Sequence, residues 1–145
     1  MKLTEKRLLD LSKIEVRFFT GPSSKKNYLQ ILVIKYIGTY GWGSGGNDDA
    51  RYMRAMATAA IDAFRPWGVV HDLSELSYEW GDMLEQVFIG PVFEPSPTGI
   101  VVGPECEEAV RTLLLGVNSQ EPIEKAGNVF RSLDAAWAYV DAQIE

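Results

Sequence analysis

The sequence contains a single histidine and a single cysteine, and both stand where side chains do chemistry in other proteins. His71 follows a short apolar run, and α/β folds place catalytic groups and ligands at strand ends of this kind. Cys106 falls in the first turn of a predicted helix, but the surrounding Glu105, Glu107 and Glu108 disfavour a thiolate. No G-x-S-x-G elbow supplies a nucleophile for His71. We therefore predict no catalytic residue, no enzymatic activity and a structural, partly buried cysteine.

Gly41, Gly43 and Gly46 match the pattern G-x-G-x-x-G between a predicted strand and a predicted helix. In dinucleotide sites such glycines let backbone amides approach a pyrophosphate. Here Asp48 and Asp49 stand where the phosphate charge would lie. We predict a mobile loop and no cofactor, and we keep a small-ligand or nucleotide-binding enzyme that uses this loop as the second alternative function.

Acidic residues dominate the middle of a chain whose formal net charge is -6 over 145 residues. Between Pro66 and Val110 there are nine Asp or Glu residues and no Lys or Arg. Such a surface repels nucleic acid and anionic lipid and attracts basic partners. Four of these carboxylates are close enough in sequence to suggest a hard cation, but they lack an EF-hand pattern and predict a solvated acidic loop with no metal.

Four aromatic residues, Trp42, Trp67, Tyr78 and Trp80, lie in or beside predicted loops. Aromatic anchors within a charged rim are typical of protein interfaces, although these rings could equally cover the ends of the sheet. The loop predicted after Asp72 combines both residue types. The predicted partner-binding residues are Trp42, Asp72, Glu75, Tyr78, Glu79, Trp80 and Asp82.

Apolar periodicity predicts one α/β domain over residues 1–145, with an N-terminal strand and turn (1–27) and a core (28–145). The expected architecture is a mixed β-sheet of four to five strands flanked by helices. The long apolar strand 28–40 should be interior, and the step from helix to strand implies a parallel crossover. Predicted strands span 13–20, 28–40, 69–73, 98–103 and, at the edge, 128–131; predicted helices span 50–64, 83–88 and 105–116, with a last helix capped by Ser132.

The sequence predicts a cytoplasmic protein. Its apolar runs are too short for a membrane-spanning helix, and its first sixteen residues carry scattered charges where a signal peptide needs an apolar stretch. A single cysteine also fits a reducing compartment.

From residue 29 to residue 144 the order of elements resembles the STAS domain, the anti-sigma-factor-antagonist family. The stretches that carry the resemblance are Ile31–Gly38, Val69–Leu76, Gly99–Gly103, Glu105–Gly116 and Phe130–Ala136. The resemblance implies a STAS-like fold and the binding of proteins without catalysis.

The chain departs from that family at the turn whose serine or threonine is phosphorylated. The corresponding stretch here, Glu79–Met83, contains no hydroxyl, and Asp82 falls near the phosphosite. Asp82 would place a permanent negative charge at a helix N-terminus. A switch driven by a kinase at this position is therefore not expected.

These observations predict a non-catalytic, cytoplasmic, protein-binding regulator that acts by stoichiometric binding. The expected partner is another protein with a basic surface, and neither nucleic acid nor a membrane. A bacterial toxin-immunity protein that neutralises a basic toxin domain is the first alternative. The oligomeric state is left open.

Overall fold

Five strands form one mixed β-sheet in a computed structural model that describes residues 1–88 and 96–144. The spatial order of the strands follows their order in the chain, with β1 antiparallel to β2 and the remaining neighbours parallel. The strands are β1 (Glu15–Pro22), β2 (Gln30–Thr39), β3 (Gly68–Ser77), β4 (Thr98–Val102) and β5 (Val129–Phe130). The predicted single-domain α/β fold with a mixed sheet flanked by helices is confirmed.

Within the described part of the chain, three α-helices cover the sheet on both faces. They are α1 (Asn47–Phe64), α2 (Glu107–Leu115) and α3 (Leu133–Ala142). Helices α1 and α2 pack on one face, while α3 packs alone on the other through Ala136 and Val140. Ser132 caps α3 as predicted, because its hydroxyl accepts the Ala135 N–H at 3.1 Å.

Strand β2 lies inside the sheet, as its sequence predicts. Ile31, Leu32, Val33 and Ile34 are all at most 5% exposed, since helices cover both faces of the strand. A continuous apolar run is the pattern expected of such a two-sided environment. Strand β2 also forms an antiparallel hairpin with β1, and the predicted parallel crossover through α1 to β3 is present.

Strand β3 is longer than predicted, and the loop expected after Asp72 does not exist. The strand continues to Ser77 because the equally long β2 goes on pairing with it, from Ile37 opposite Glu75 to Thr39 opposite Ser77. Backbone pairing with a neighbouring strand therefore overrides the polar side chains in this stretch.

The segment after β3 turns once and forms a 3₁₀ helix, Asp82–Phe88, where a short helix near 83–88 was expected. Other 3₁₀ helices in the described residues are Leu8–Leu11, Gly43–Gly46 and Ile123–Ala126. The prolines at positions 91, 95 and 97 predict an extended connection before β4, but most of that segment lies outside the described residues. Helix α1 begins three residues earlier than predicted, and α2 begins at Glu107 after a turn that contains Cys106.

Candidate functional site

The glycine-rich loop and the turn after β3 meet at the carboxyl ends of β2 and β3. The Tyr40 N–H donates to the Ser77 carbonyl oxygen at 2.8 Å, and the Gly43 N–H donates to the Trp80 carbonyl oxygen at 3.2 Å. Because parallel strands end at the same edge of a sheet, two segments far apart in sequence become neighbours here. Trp42 and Trp80 remain 65% and 61% exposed, so both indoles face solvent.

Tyr78 supports the turn that carries Trp80. Its hydroxyl donates to the Gly81 carbonyl oxygen at 2.7 Å, and its ring meets that of Tyr40 edge to face at 5.1 Å. Burial raises the pKa of the Tyr78 phenol well above its ordinary value, which keeps the hydroxyl protonated as a donor. Tyr78 thus positions the turn from beneath rather than presenting its own ring to solvent.

The glycines of the loop allow its backbone to pack closely against the turn that carries Trp80. Gly43 has φ +54°, and a Cβ at this position would overlap the Trp80 indole. The Gly41 N–H donates to Asp49 Oδ2 at 2.9 Å, so a carboxylate of the chain itself takes a loop amide that a phosphate would need. The loop predicted to be a mobile linker is therefore tied to α1 and to the Trp80 turn.

Two acidic side chains accompany the two indoles. Glu79 and Asp82 are exposed, and no Lys or Arg among residues 1–88 and 96–144 forms an ion pair with either of them. We call the surface formed by Trp42, Glu79, Trp80 and Asp82 the Trp42–Trp80 face. It offers apolar contact area within an unneutralised negative rim.

The other three predicted partner-binding residues are placed differently, since Asp72 and Glu75 lie within β3 and Tyr78 directly follows its last residue. Asp72 is 5% exposed, and its Oδ1 accepts the Ser74 N–H at 2.9 Å. Tyr78 is 3% exposed beneath the turn. Glu75 lies on β3 and forms an ion pair with Lys35 at 2.6 Å, which raises the pKa of that lysine. Asp72 and Tyr78 are therefore not available on the surface, and the charge of Glu75 is already compensated.

His71 is a core residue. Its Nδ1 lies 2.8 Å from the Tyr36 hydroxyl, its ring stacks on that of Tyr36, and Phe88 meets it edge on at 5.4 Å. Burial lowers the pKa of His71 to about 4, so the imidazole is neutral at physiological pH. A sealed, neutral histidine whose partner is a phenol with a strongly raised pKa offers no accessible base.

Cys106 is also buried, at 1% exposure, and its thiol donates to the Leu73 carbonyl oxygen at 3.4 Å. Burial raises the pKa of this thiol to about 11, the opposite of what a nucleophilic cysteine needs. The thiol ties the turn before α2 to β3.

Within residues 1–88 and 96–144, no cluster of three or more His, Cys, Asp or Glu side chains is arranged to hold a metal ion. Across the same residues, no helix has the length and hydropathy needed to cross a bilayer.

Comparison with known proteins identifies the fold. No family model matches the chain, and no curated protein matches it in sequence. The crystal structure of an anti-sigma factor antagonist from Mycobacterium paratuberculosis is similar, with a TM-score of 0.59 over 88% of this chain and 94% of that chain at 17% sequence identity. The protein therefore has a STAS-like α/β fold, in agreement with the resemblance found in the sequence.

Proposed function

We propose that this protein is a non-catalytic regulator that binds another protein stoichiometrically through the Trp42–Trp80 face. The observation that carries the proposal is the pair of exposed indoles held on a hydrogen-bonded base at one end of the sheet. Tryptophan is enriched among residues that dominate binding energy, and a preorganised base limits the entropy lost on binding. The likeness to an anti-sigma factor antagonist supports a protein partner.

The expected partner presents a basic surface. Glu79 and Asp82 keep their negative charge uncompensated by any described residue, and such a rim accelerates encounter with a cationic surface. Asp82 is the first residue of the 3₁₀ helix and has no hydroxyl to phosphorylate. Binding through this face is therefore constitutive with respect to phosphorylation at this position.

A toxin-immunity function would use the same acidic face, because a basic toxin domain needs the same complementary charge. The two functions differ in the partner, not in the surface. Identification of a captured partner as a nuclease-like or pore-forming toxin domain would favour immunity, whereas a signalling protein would favour the regulator.

The proposal is tested by photo-crosslinking from position 80 in the source cell, followed by mass spectrometry and by measurement of the Kd with the purified partner. Trp80→Ala should raise that Kd at least about tenfold. Trp67→Ala is the matched control, because Trp67 is similarly exposed, at 57%, but lies at the opposite end of the sheet. Equal effects of the two substitutions would contradict the proposed location of the interface.

A further inference from the structure

A second exposed aromatic surface lies at the amino ends of β2 and β3. Tyr28, Phe64 and Trp67 are 73%, 51% and 57% exposed. The Trp67 N–H donates to the Gln30 carbonyl oxygen at 2.8 Å, which brings the segment after α1 against the start of β2. We call this surface, with its neighbouring cations, the Tyr28–Trp67 face; its members are Lys25, Lys26, Tyr28, Phe64, Arg65 and Trp67.

The Tyr28–Trp67 face is cationic. Lys25 and Lys26 are exposed in the turn between β1 and β2, and Arg65 follows the last residue of α1. The Lys25 ammonium donates to the Ala142 carbonyl oxygen at 2.8 Å and lies near the Asp141 carboxylate, so Lys26 and Arg65 supply most of the positive charge of the face. Among the residues that the structure describes, Arg65 forms an ion pair with Asp62 at 3.7 Å on the exposed surface of α1. Exposed pairs of this kind are weak, so the positive potential of the face persists.

Hydrogen bonds hold this face in place. The Asp141 carboxylate accepts the hydroxyls of Ser23 and Ser24 and the Ser24 N–H, tying the turn that carries the lysines to the end of α3. These bonds lower the pKa of Asp141, so the tie persists in mildly acidic solution. Like the Trp42–Trp80 face, the Tyr28–Trp67 face is therefore preorganised in the free chain.

The two faces are complementary to each other. Each presents exposed indole surface, one within an acidic rim and one among cations, and they lie at opposite ends of the parallel strands. Pairing either face with its own copy would juxtapose like charges, which disfavours a two-fold symmetric dimer. Pairing the two different faces brings opposite charges and aromatic surfaces together.

We propose that a second copy of this chain docks its Trp42–Trp80 face on the Tyr28–Trp67 face, head to tail. A heterologous contact leaves one free face of each kind, so the assembly grows as a short chain or closes into a ring. The proposal shares the Trp42–Trp80 face with the proposed function, and copies of the chain therefore compete with the partner for it. Self-association lowers the fraction of free regulator as its total concentration rises.

The test is sedimentation velocity on the full chain from about 10 µM to about 1 mM, a range suited to weak association. The weight-average sedimentation coefficient should rise with concentration at low salt, and the rise should disappear in about 0.5 M NaCl. A chain that stays monomeric over the whole range at low salt would overturn the proposal.

Charge reversals locate the contact. Lys25→Glu with Lys26→Glu, and separately Glu79→Lys with Asp82→Lys, should each abolish the concentration dependence. Mixing the two variants should restore it, because the reversed faces now fit one another. The chain that carries all four substitutions keeps the wild-type formal net charge of -6 and should self-associate like the wild type.

Several results would overturn this assignment. Association that survives either reversal, or a mixture that stays monomeric, excludes the pairing of these two faces. Loss of association only on deletion of residues 1–11 would assign the contact to the N-terminal segment, whose Leu8 and Leu9 are also exposed. A monomeric wild type that binds a thymidine oligonucleotide would assign the basic face to a polyanion. Circular dichroism checks that each variant folds, and Lys26→Glu and Asp82→Lys alone replace any double variant that does not.

Trp67→Ala separates this proposal from the proposed function. It should weaken self-association while leaving the Kd for the purified partner unchanged at concentrations where the chain is monomeric. Failure of self-association with intact partner binding rejects only the head-to-tail contact. Normal self-association with a partner that is insensitive to Trp80→Ala rejects only the proposed partner interface.

Discussion

Two groups of polar residues that are close together in the chain occupy opposite environments. His71 and Asp72, on the inner part of β3, are 2% and 5% exposed, and chain atoms satisfy their hydrogen bonds. Glu79 and Asp82, on the turn after the same strand, face solvent without an ion pair from any described residue. The first group resembles a catalytic site in sequence yet is structural. The second resembles an ordinary acidic loop yet shares its surface with two exposed indoles.

Solvent exposure is therefore a better guide than residue type to which polar residues of this protein can contact a partner. The inner part of β3 has neighbouring strands on both sides, with His71 opposite Ile34 on β2 and Ile100 on β4. The pairing of β3 with β4 ends at Leu73, opposite Val102, and β3 then pairs with β2 alone as far as Ser77. The turn after Ser77 brings Glu79, Trp80 and Asp82 to the surface. Substitutions in the first region should change stability, and substitutions in the second should change binding.

The largest effect is expected from Ile34→Asp, in the sealed region. Ile34 is 0% exposed on a strand covered on both faces, so an aspartate there would bury a charge without a partner. We expect a loss of about 4 kcal/mol or more in the free energy of unfolding, enough to remove the cooperative thermal transition. Thr39→Asp, at the exposed end of the same strand, is the control in the same circular dichroism melts. A cooperative transition in Ile34→Asp would contradict the interior position of β2.

The second effect is the pH dependence that His71 imposes. Its pKa is lowered from 6.5 to about 4 by burial, so between these values the unfolded chain binds a proton that the folded chain does not. Stability is fully present above pH 6.5 and falls as the pH drops toward 4, by about 3 kcal/mol from this residue. Chemical denaturation from pH 7.5 to 4 should show this slope.

The matched variant is His71→Gln, which keeps a hydrogen-bonding partner for Tyr36 but does not titrate. Its stability should change less between pH 6.5 and pH 4 than that of the wild type. At pH 7 it should also bind the partner normally, because His71 has no part in the interface. If a folded His71→Gln protein lost partner binding, His71 would belong with the binding residues and not with the structural ones.

The third-largest effect is expected from Gly43→Ala. This substitution should affect both stability and binding, because Gly43 supports the Trp80 indole on the exposed face. A Cβ would overlap the Trp80 indole at a residue with φ +54°, so we expect a loss of about 1–3 kcal/mol in stability and a displaced Trp80. Weaker partner binding and altered tryptophan fluorescence should report the displacement. Gly45→Ala is the control, since its Cβ meets nothing within 4 Å and its φ is not positive. Identical behaviour of the two variants would show that Trp80 does not rest on Gly43.

The smallest effect is kinetic. Glu79→Lys with Asp82→Lys should slow association with the partner roughly tenfold at low salt and flatten its salt dependence, with little change in stability. Trp80→Ala should act mainly on the dissociation rate. Stopped-flow or surface plasmon resonance measurements separate the two rates. Glu75 is left out of the reversal because its charge is compensated by Lys35; unaltered rate constants in both variants would place the interface elsewhere.

Much of the fold could be predicted from sequence because its signals are local. The apolar run from Ile31 to Ile34 predicted an interior strand, and the helical spacing of Met53, Ala57 and Ala60 predicted the buried stripe of α1. The end of β3 could not be predicted this way. Its polar residues remain in a strand only because β2 offers pairing groups as far as Thr39.

Part of the candidate site could be predicted from the sequence. Trp42, Glu79, Trp80 and Asp82 were predicted as partner-binding residues and all lie on the exposed face, although their role in binding stays a prediction. The supporting roles of Tyr78 and Gly43 were missed. No local signal in the sequence marks Gly43, because the ring that excludes a Cβ there belongs to Trp80, which is distant in the chain.

The sequence by itself determined the composition of each surface: where the acids and lysines cluster, which strands are apolar throughout, and that one histidine and one cysteine are available. Tertiary structure alone decided which of these groups meet solvent. Burial depends on strands and helices brought together from distant parts of the chain. The rings of Tyr36 and Phe88, for example, both pack against His71. Periodicity within a segment carries no information on the length of its neighbour in the sheet, and that length kept residues 74–77 in β3 and placed the Trp80 turn beyond them.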